Sequence, residues 1–136
     1  MKIKNYVLGK WEEGDGVEII HHHSITGNEI STCSSKGLDY NSILNYGRTV
    51  GGPALRKMTF QERGRMLKAL ALHLISIKKK IYGLSAATGA TKIDSWIDIE
   101  GGIGNLFANA SLRRQFPDLP YYVDGSAAPL SKEGTF

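Results

Sequence analysis

Residues 59–89 read TFQERGRMLKALALHLISIKKKIYGLSAATG, and this stretch decides the fold. Thr59-Phe60-Gln61-Glu62 is a capping box, in which the threonine hydroxyl and the glutamate three residues on satisfy one another's free backbone amides at a helix start. Beyond it Phe60, Leu67, Leu70, Leu74, Ile77, Ile81 and Leu84 recur at spacings of seven, three, four, three, four and three. Such spacing puts them on one face of a helix, or of two successive collinear helices. Arg65, Lys68, Lys79 and Lys80 fall on the other face, which is therefore solvated. A stop is predicted at Thr88-Gly89.

Downstream, Ile93, Trp96, Ile99, Ile103, Leu106 or Phe107, and Ala110 return at helical intervals and predict a further amphipathic helix. Gly101, Gly102 and Gly104 lie inside it, each costing ~1 kcal/mol against alanine, a penalty that implies a close approach to the backbone. Upstream, Asp39 is a good N-cap and Leu38 can pack on Ile43 as a hydrophobic staple. A helix is predicted from there to about Val50, ended by Gly51-Gly52-Pro53. Before it the pattern is that of strands. Tyr6-Val7-Leu8-Gly9-Lys10-Trp11 reads as a strand followed by a turn over Glu12 to Gly16. Val17 to His23 and Glu29 to Cys33 read as extended runs around the turn Thr26-Gly27-Asn28, which predicts a small antiparallel unit over residues 4–35. Phe116 to Pro129, with its prolines and weak periodicity, reads as a loop, and this C-terminal stretch is expected to be poorly anchored.

With 136 residues, 41% hydrophobic and 22% charged, the chain has the size and composition of one globular domain. That argues against disorder, collagen-like sequence and a coiled coil. The formal net charge of +4 is a mild excess that does not by itself indicate nucleic acid. No stretch of ~18 apolar residues spans a membrane, and no signal-peptide core follows the lysine-bearing start. The single cysteine, Cys33, cannot form an internal disulfide, which favours a reducing, cytoplasmic setting.

Chemistry-bearing residues are few. In His21-His22-His23, adjacent strand positions point to opposite faces, so all three cannot face one ion. They read as strand or edge residues, and His73, beside the apolar stripe, as a packing or surface residue. Cys33 would need a nearby base or a helix N-terminus to act as a nucleophile, and its β-rich run offers neither. Gly101-Gly102-Ile103-Gly104 is no dinucleotide loop: it falls inside a helical pattern, and the third glycine position is Phe107. Lys78-Lys79-Lys80 and Arg113-Arg114 read as solvated faces, without the interleaved aromatics of a nucleic-acid platform. Composition, pattern and spacing reveal no reaction.

Tyr6-Val7-Leu8-Gly9-Lys10-Trp11, followed by His22-His23-Ser24-Ile25-Thr26-Gly27-Asn28-Glu29-Ile30, resembles the N-terminal strands of aldehyde dehydrogenases. Pro53 to Arg63, Leu84 to Thr91, Asp94 to Gly104 and Pro129 to Gly134 are similar to the bifunctional, ring-opening branch that serves phenylacetate catabolism. The resemblance covers essentially the whole chain, and the stretch from Trp96 to Gly104 is fairly specific to that branch. It implies an NAD- or NADP-dependent oxidoreductase in which a cysteine thiolate attacks the aldehyde and a glutamate activates water. It also implies that this cysteine, the glutamate, the oxyanion-holding asparagine and the cofactor-binding units all lie beyond the residue matching Phe136. The resemblance thus implies an N-terminal fragment that is inactive alone and binds no cofactor itself. Its partner is then the remainder of its own dehydrogenase domain, in an enzyme that is a homo-oligomer at full length, with no nucleic-acid or membrane partner.

On the family pattern the helix matching Ile93 to Ala110 flanks the substrate entrance, where Ile97 and Gly101 occupy lining positions. Gly101, where many relatives carry a larger residue, would then widen the mouth for a coenzyme A-linked semialdehyde; the alternative is that these glycines merely allow close helix packing. The expected fold is mixed α and β: short antiparallel strands over residues 1–37, then three or four packed helices over 38–115. Residues 116–136 are expected to form a loop and the start of an oligomerisation hairpin. A non-enzymatic helical interaction module is the competing functional reading.

Overall fold

Two small sheets precede the helices in the computed structural model, which describes residues 1–125. The strands are β1 (Lys2–Ile3), β2 (Asn5–Val7), β3 (Lys10–Glu12), β4 (Ile19–His22) and β5 (Glu29–Cys33). The run Tyr6 to Trp11 is a hairpin and not the single predicted strand. Leu8 and Gly9, at φ of 53° and 82°, make a two-residue turn whose twist matches its strands. Across it the Tyr6 and Trp11 rings meet edge-on at 5.1 Å. The predicted antiparallel pairing of β4 with β5 is present, with His21 opposite Ser31. β1, however, joins the far side of β5 in parallel, Lys2 opposite Thr32, so this unit is mixed. The hairpin between β1 and β5 supplies the chain length that a parallel return needs.

Asp39 caps the first helix as predicted, accepting from the Ser42 amide at 3.1 Å and the Ser42 hydroxyl at 2.6 Å. That helix does not stop at Val50. α1 (Tyr40–Tyr46) widens into a π-helical turn (Gly47–Gly51) and runs on as α2 (Gly52–Lys57). Gly51 and Gly52 keep right-handed helical dihedrals, so neither acts as a left-handed cap. Pro53 sits in the first turn of α2, where its missing donor costs little, and the wider turn absorbs the break in the hydrogen-bond ladder.

α3 (Phe60–Ala87) and α4 (Lys92–Ser111) both begin at capping boxes, Thr59 with Glu62 and Thr91 with Asp94. Gly89, at φ 85°, closes α3 where a stop was predicted. The two helices lie antiparallel, joined along Gly64, Ala71, Lys78 and Ser85 of α3. Ser85 meets Ser95 at 2.9 Å, Lys78 meets Glu100 at 2.9 Å, and Gly64 lies against Ala110. Ala71, Ile103 and Ala110 are the buried apolar residues among those described. The predicted leucine stripe runs beside this seam: Leu67 and Leu74 are half-buried, but Leu70 and Leu84 are 46% and 60% exposed. Small residues set the line of contact because they let two backbones approach most closely.

The close approach expected at Gly101, Gly102 and Gly104 is found instead at Gly64. A Cβ on Gly64 would lie 2.6 Å from Arg113 Cδ and 2.9 Å from the Ala110 carbonyl, whereas nothing lies within 4 Å of one at the other three. After the 3-10 turn Leu112–Gln115, the chain is tied back to the start of α3 rather than left loose. Gln61 Nε2 donates to the Arg113 and Phe116 carbonyls at 2.7 and 3.2 Å. Arg63 Nη2 donates to the Met58 and Pro120 carbonyls, and Phe60 stacks on Phe116 with centroids 4.6 Å apart. Residues 116–125 contain no helix or strand, and of the expected hairpin start, residues 126–136 lie outside the described residues.

Gly64→Ala should therefore destabilise the chain by about 1–3 kcal/mol through overpacking, although alanine is the better helix former. Gly101→Ala, facing open space, should stabilise it by up to ~1 kcal/mol. Urea denaturation measures both, and a Gly64→Ala chain as stable as the parent would show that the seam is loose.

Candidate functional site

α4 has an inner face held in the seam and an outer face that nothing among the described residues covers. Thr91 starts the helix: its hydroxyl accepts from the Asp94 amide at 3.2 Å, and the Thr91 amide donates to Asp94 Oδ2 at 3.1 Å. Hydrogen bonds from the Thr91 hydroxyl and amide hold the Asp94 carboxyl below the usual carboxylate range. Ser95, Ile103 and Ala110 turn inward and are buried. Ile97 and Gly101, one turn apart, share the outer face. Ile97 is 55% exposed, and the space beyond Gly101 is open for at least 4 Å. The structure thus brings the two predicted entrance residues onto one accessible surface.

Glu100, next to Gly101, points into the seam. Its Oε1 accepts from Lys78 Nζ at 2.9 Å and from the Tyr82 hydroxyl at 3.2 Å. The Lys78 hydrogen bond holds the Glu100 carboxyl below its ordinary range, and Glu100 in turn raises Lys78. Desolvation, then the Glu100 charge, raises the Tyr82 phenol. Beside this network Tyr82, Lys92, Ile93 and Trp96 line a shallow cleft of about 230 Å³. Sequence reasoning missed the network because Lys78 was read as part of a solvated lysine run. The seven-residue row Gly64, Ala71, Lys78, Ser85 was the available signal that Lys78 faces a neighbour.

The other singled-out residues are dispersed. His21 Nε2 lies 3.1 Å from Cys33 Sγ, so the expectation that no base lies near Cys33 fails. The pairing of β4 with β5 brings the two side chains together diagonally, which a strand-by-strand reading does not show. His22 Nδ1 contacts the Gly27 carbonyl at 3.0 Å, and His23 Nδ1 accepts from the Ile25 and Thr26 amides. Among the described residues no group of three or more His, Cys, Asp or Glu could hold a metal ion. His73 is exposed. Arg113, read as solvated, in fact packs over Gly64, and its Nη1 donates to the Ala110 carbonyl at 2.8 Å near the negative end of α4. Gly101 to Gly104 lie in the body of α4, not at a strand-to-helix turn, so this run does not fit a dinucleotide phosphate. No helix among the described residues is long and apolar enough to cross a membrane.

No family model matches the chain. Over its whole length it is 31% identical to the 3,4-dehydroadipyl-CoA semialdehyde dehydrogenase of Aromatoleum evansii, and it spans 27% of that protein's length. The resemblance read from the motifs is matched by this similarity, which extends over the whole chain.

Glu100→Gln removes the charge that Lys78 answers. A carboxyl with a lowered folded value stabilises above its unfolded value and loses that contribution as pH falls through the folded one; a raised lysine stabilises below its unfolded value and loses it on the alkaline side. The destabilisation by Glu100→Gln should thus be greatest between about pH 4.3 and about pH 10.4 and shrink at both ends. Thermal melts of both proteins carried past both ends of that range test this, and a difference that stays the same on the acid and alkaline sides would refute the charge pairing.

Proposed function

We propose that this chain is the substrate-entrance-bearing N-terminal part of an NAD- or NADP-dependent aldehyde dehydrogenase. The complete enzyme oxidises a coenzyme A-linked semialdehyde to the acid in phenylacetate-type aromatic catabolism. The observation that carries the reading is the 31% identity along the entire chain to a semialdehyde dehydrogenase of that name. The chain spans about a quarter of that relative's length; on this reading the catalytic and cofactor-binding groups belong to the rest of the polypeptide. Alone the chain is inactive. It works joined to the remainder of its dehydrogenase domain, in a cytoplasmic homo-oligomer.

Within that enzyme Ile97 and Gly101 flank the mouth. The support is local: both share the outer face of α4, no side chain among the described residues covers them, and a side chain at position 101 would project into free space. An absent side chain admits a bulky thioester tail as readily as a small aldehyde.

A chimera in which residues 1–136 replace the matching segment of the Aromatoleum evansii enzyme tests both statements. It should reduce nicotinamide cofactor with the semialdehyde thioester, while the isolated chain shows no turnover above background. Gly101→Leu in the chimera should lower kcat/KM for the thioester about tenfold, some 1.4 kcal/mol, and leave a small aliphatic aldehyde within about twofold. Turnover by the isolated chain would refute the first statement, and an unchanged substrate preference the second.

A further inference from the structure

Between the seam and the outer face of α4, Tyr82 of α3 and Lys92, Ile93 and Trp96 of α4 line a cleft of about 230 Å³. The Tyr82 ring is half-buried and held in place, its hydroxyl donating to Glu100 Oε1 at 3.2 Å. Ile93 and Trp96 are 70% and 59% exposed. Lys78 and Glu100 answer one another's charge. Lys92 has no ion-pair partner among the described residues, so it supplies the net charge at the cleft. At about 100° per residue, Asp94 and Asp98 fall round the helix from Ile93, on the side away from the cleft.

Two aromatic rings, one aliphatic wall and one cation suit a flat, uncharged ring joined to an anion. Rings stack on aromatic faces, and a lysine ammonium answers a phosphate as a point charge. The volume falls below the ~300–1,000 Å³ of sites that enclose a whole ligand, so the cleft takes one end of a longer molecule. From Ile93 the same face continues in steps of four through Ile97 to Gly101. That run is about 12 Å along the helix axis, roughly the reach of three or four extended residues. A tail built on two amide groups can lie along it.

We infer that the cleft of Tyr82, Lys92, Ile93 and Trp96 seats the adenine-phosphate end of the coenzyme A thioester whose aldehyde end enters beside Gly101. The inference rests on the functional reading above and deepens it. The adenine stacks on Trp96, Lys92 pairs with a phosphate, and the two-amide arm runs over Ile93 and Ile97 toward the mouth. The nicotinamide cofactor also carries adenine and phosphate, but the continuity of the cleft with the Ile97 and Gly101 surface assigns it to the substrate. Trp96 and Lys92 thus hold the tail and take no part in the oxidation.

Trp11 and Trp96 are the two tryptophans of the chain, so Trp11→Phe leaves Trp96 as its single indole reporter. Coenzyme A should quench that fluorescence saturably, pantetheine should not, and Lys92→Ala should weaken coenzyme A binding about tenfold. In the chimera described above, the preference in kcat/KM for the coenzyme A thioester over the pantetheine thioester of the same semialdehyde is the second readout. Trp96→Ala and Lys92→Ala should each lower it about tenfold, through KM, with KM for the nicotinamide cofactor unchanged. Pantetheine quenching as strongly as coenzyme A, or no quenching by either, would overturn the inference. So would a rise in the cofactor KM, which would give the cleft to the cofactor. Substitutions that lower the melting temperature of the chimera without altering the thioester preference would overturn it too, as the mark of a packing surface. Quenching without thioester turnover would leave the cleft standing and remove the functional reading; turnover with an unchanged preference would do the reverse.

Discussion

The absence of a side chain at Gly64 is the constraint on which the rest of the structure depends. It lets the Ala110 carbonyl and the Arg113 side chain lie directly on the backbone of α3, closer than any other residue would allow. Once that end of the seam is closed, the seven-residue row through Ala71, Lys78 and Ser85 brings α4 into register. Ile103 and Ala110 are then buried with Ala71. The same closure brings the Arg113 and Phe116 carbonyls within reach of Gln61, and the Phe116 ring onto Phe60. The start of α3 therefore holds both the end of α4 and the chain that follows it.

A seam lined by glycine, alanine and serine brings backbones together but removes little apolar surface from water, since hydrophobic stabilisation scales with the area buried. That is why large side chains such as Leu70, Leu84 and Leu55 remain exposed although their spacing is that of helix faces made to be covered. Close contact and extensive burial are separate properties here. The first sets the geometry of α3 against α4, and the second is not reached among the described residues.

Features fixed by a few adjacent residues were legible from the chain alone. The capping box at Thr59, the cap at Asp39, the stop at Gly89 and the strands β4 and β5 all depend on local hydrogen bonding or side-chain alternation, and each stands where predicted. Features decided by distant residues were not. The leucine stripe announced a buried face, but which of two adjacent faces meets α4 depends on side-chain size at Gly64 and Ala71. The helix through Gly51-Gly52-Pro53 was misread because glycine and proline usually end helices, and a π-helical turn has no simple sequence signature. His21 beside Cys33, and β1 beside β5, are products of register across strands. Of the site, the shared face of Ile97 and Gly101 followed from helical spacing once the resemblance had picked them out, whereas the Glu100 network did not.

That network bears on how far the outer face of α4 is a fixed surface. Glu100 and Gly101 are consecutive, so the inward direction of one determines the outward direction of the other. Lys78 and Tyr82, a turn apart on α3, both reach the same carboxylate oxygen, and Ser85 holds Ser95 one further turn along. A single hydrogen bond would resist separation of the helices but would leave α4 free to rotate about its own axis. Bonds at Ser95 and Glu100, more than a turn apart on α4, resist rotation as well, and the contact at Gly64 fixes the far end. The position of Ile97 and Gly101 is therefore set by polar contacts beneath them and does not require a side chain at Gly101 to hold the helix in place. Position 101 is thereby free of a packing role among the described residues.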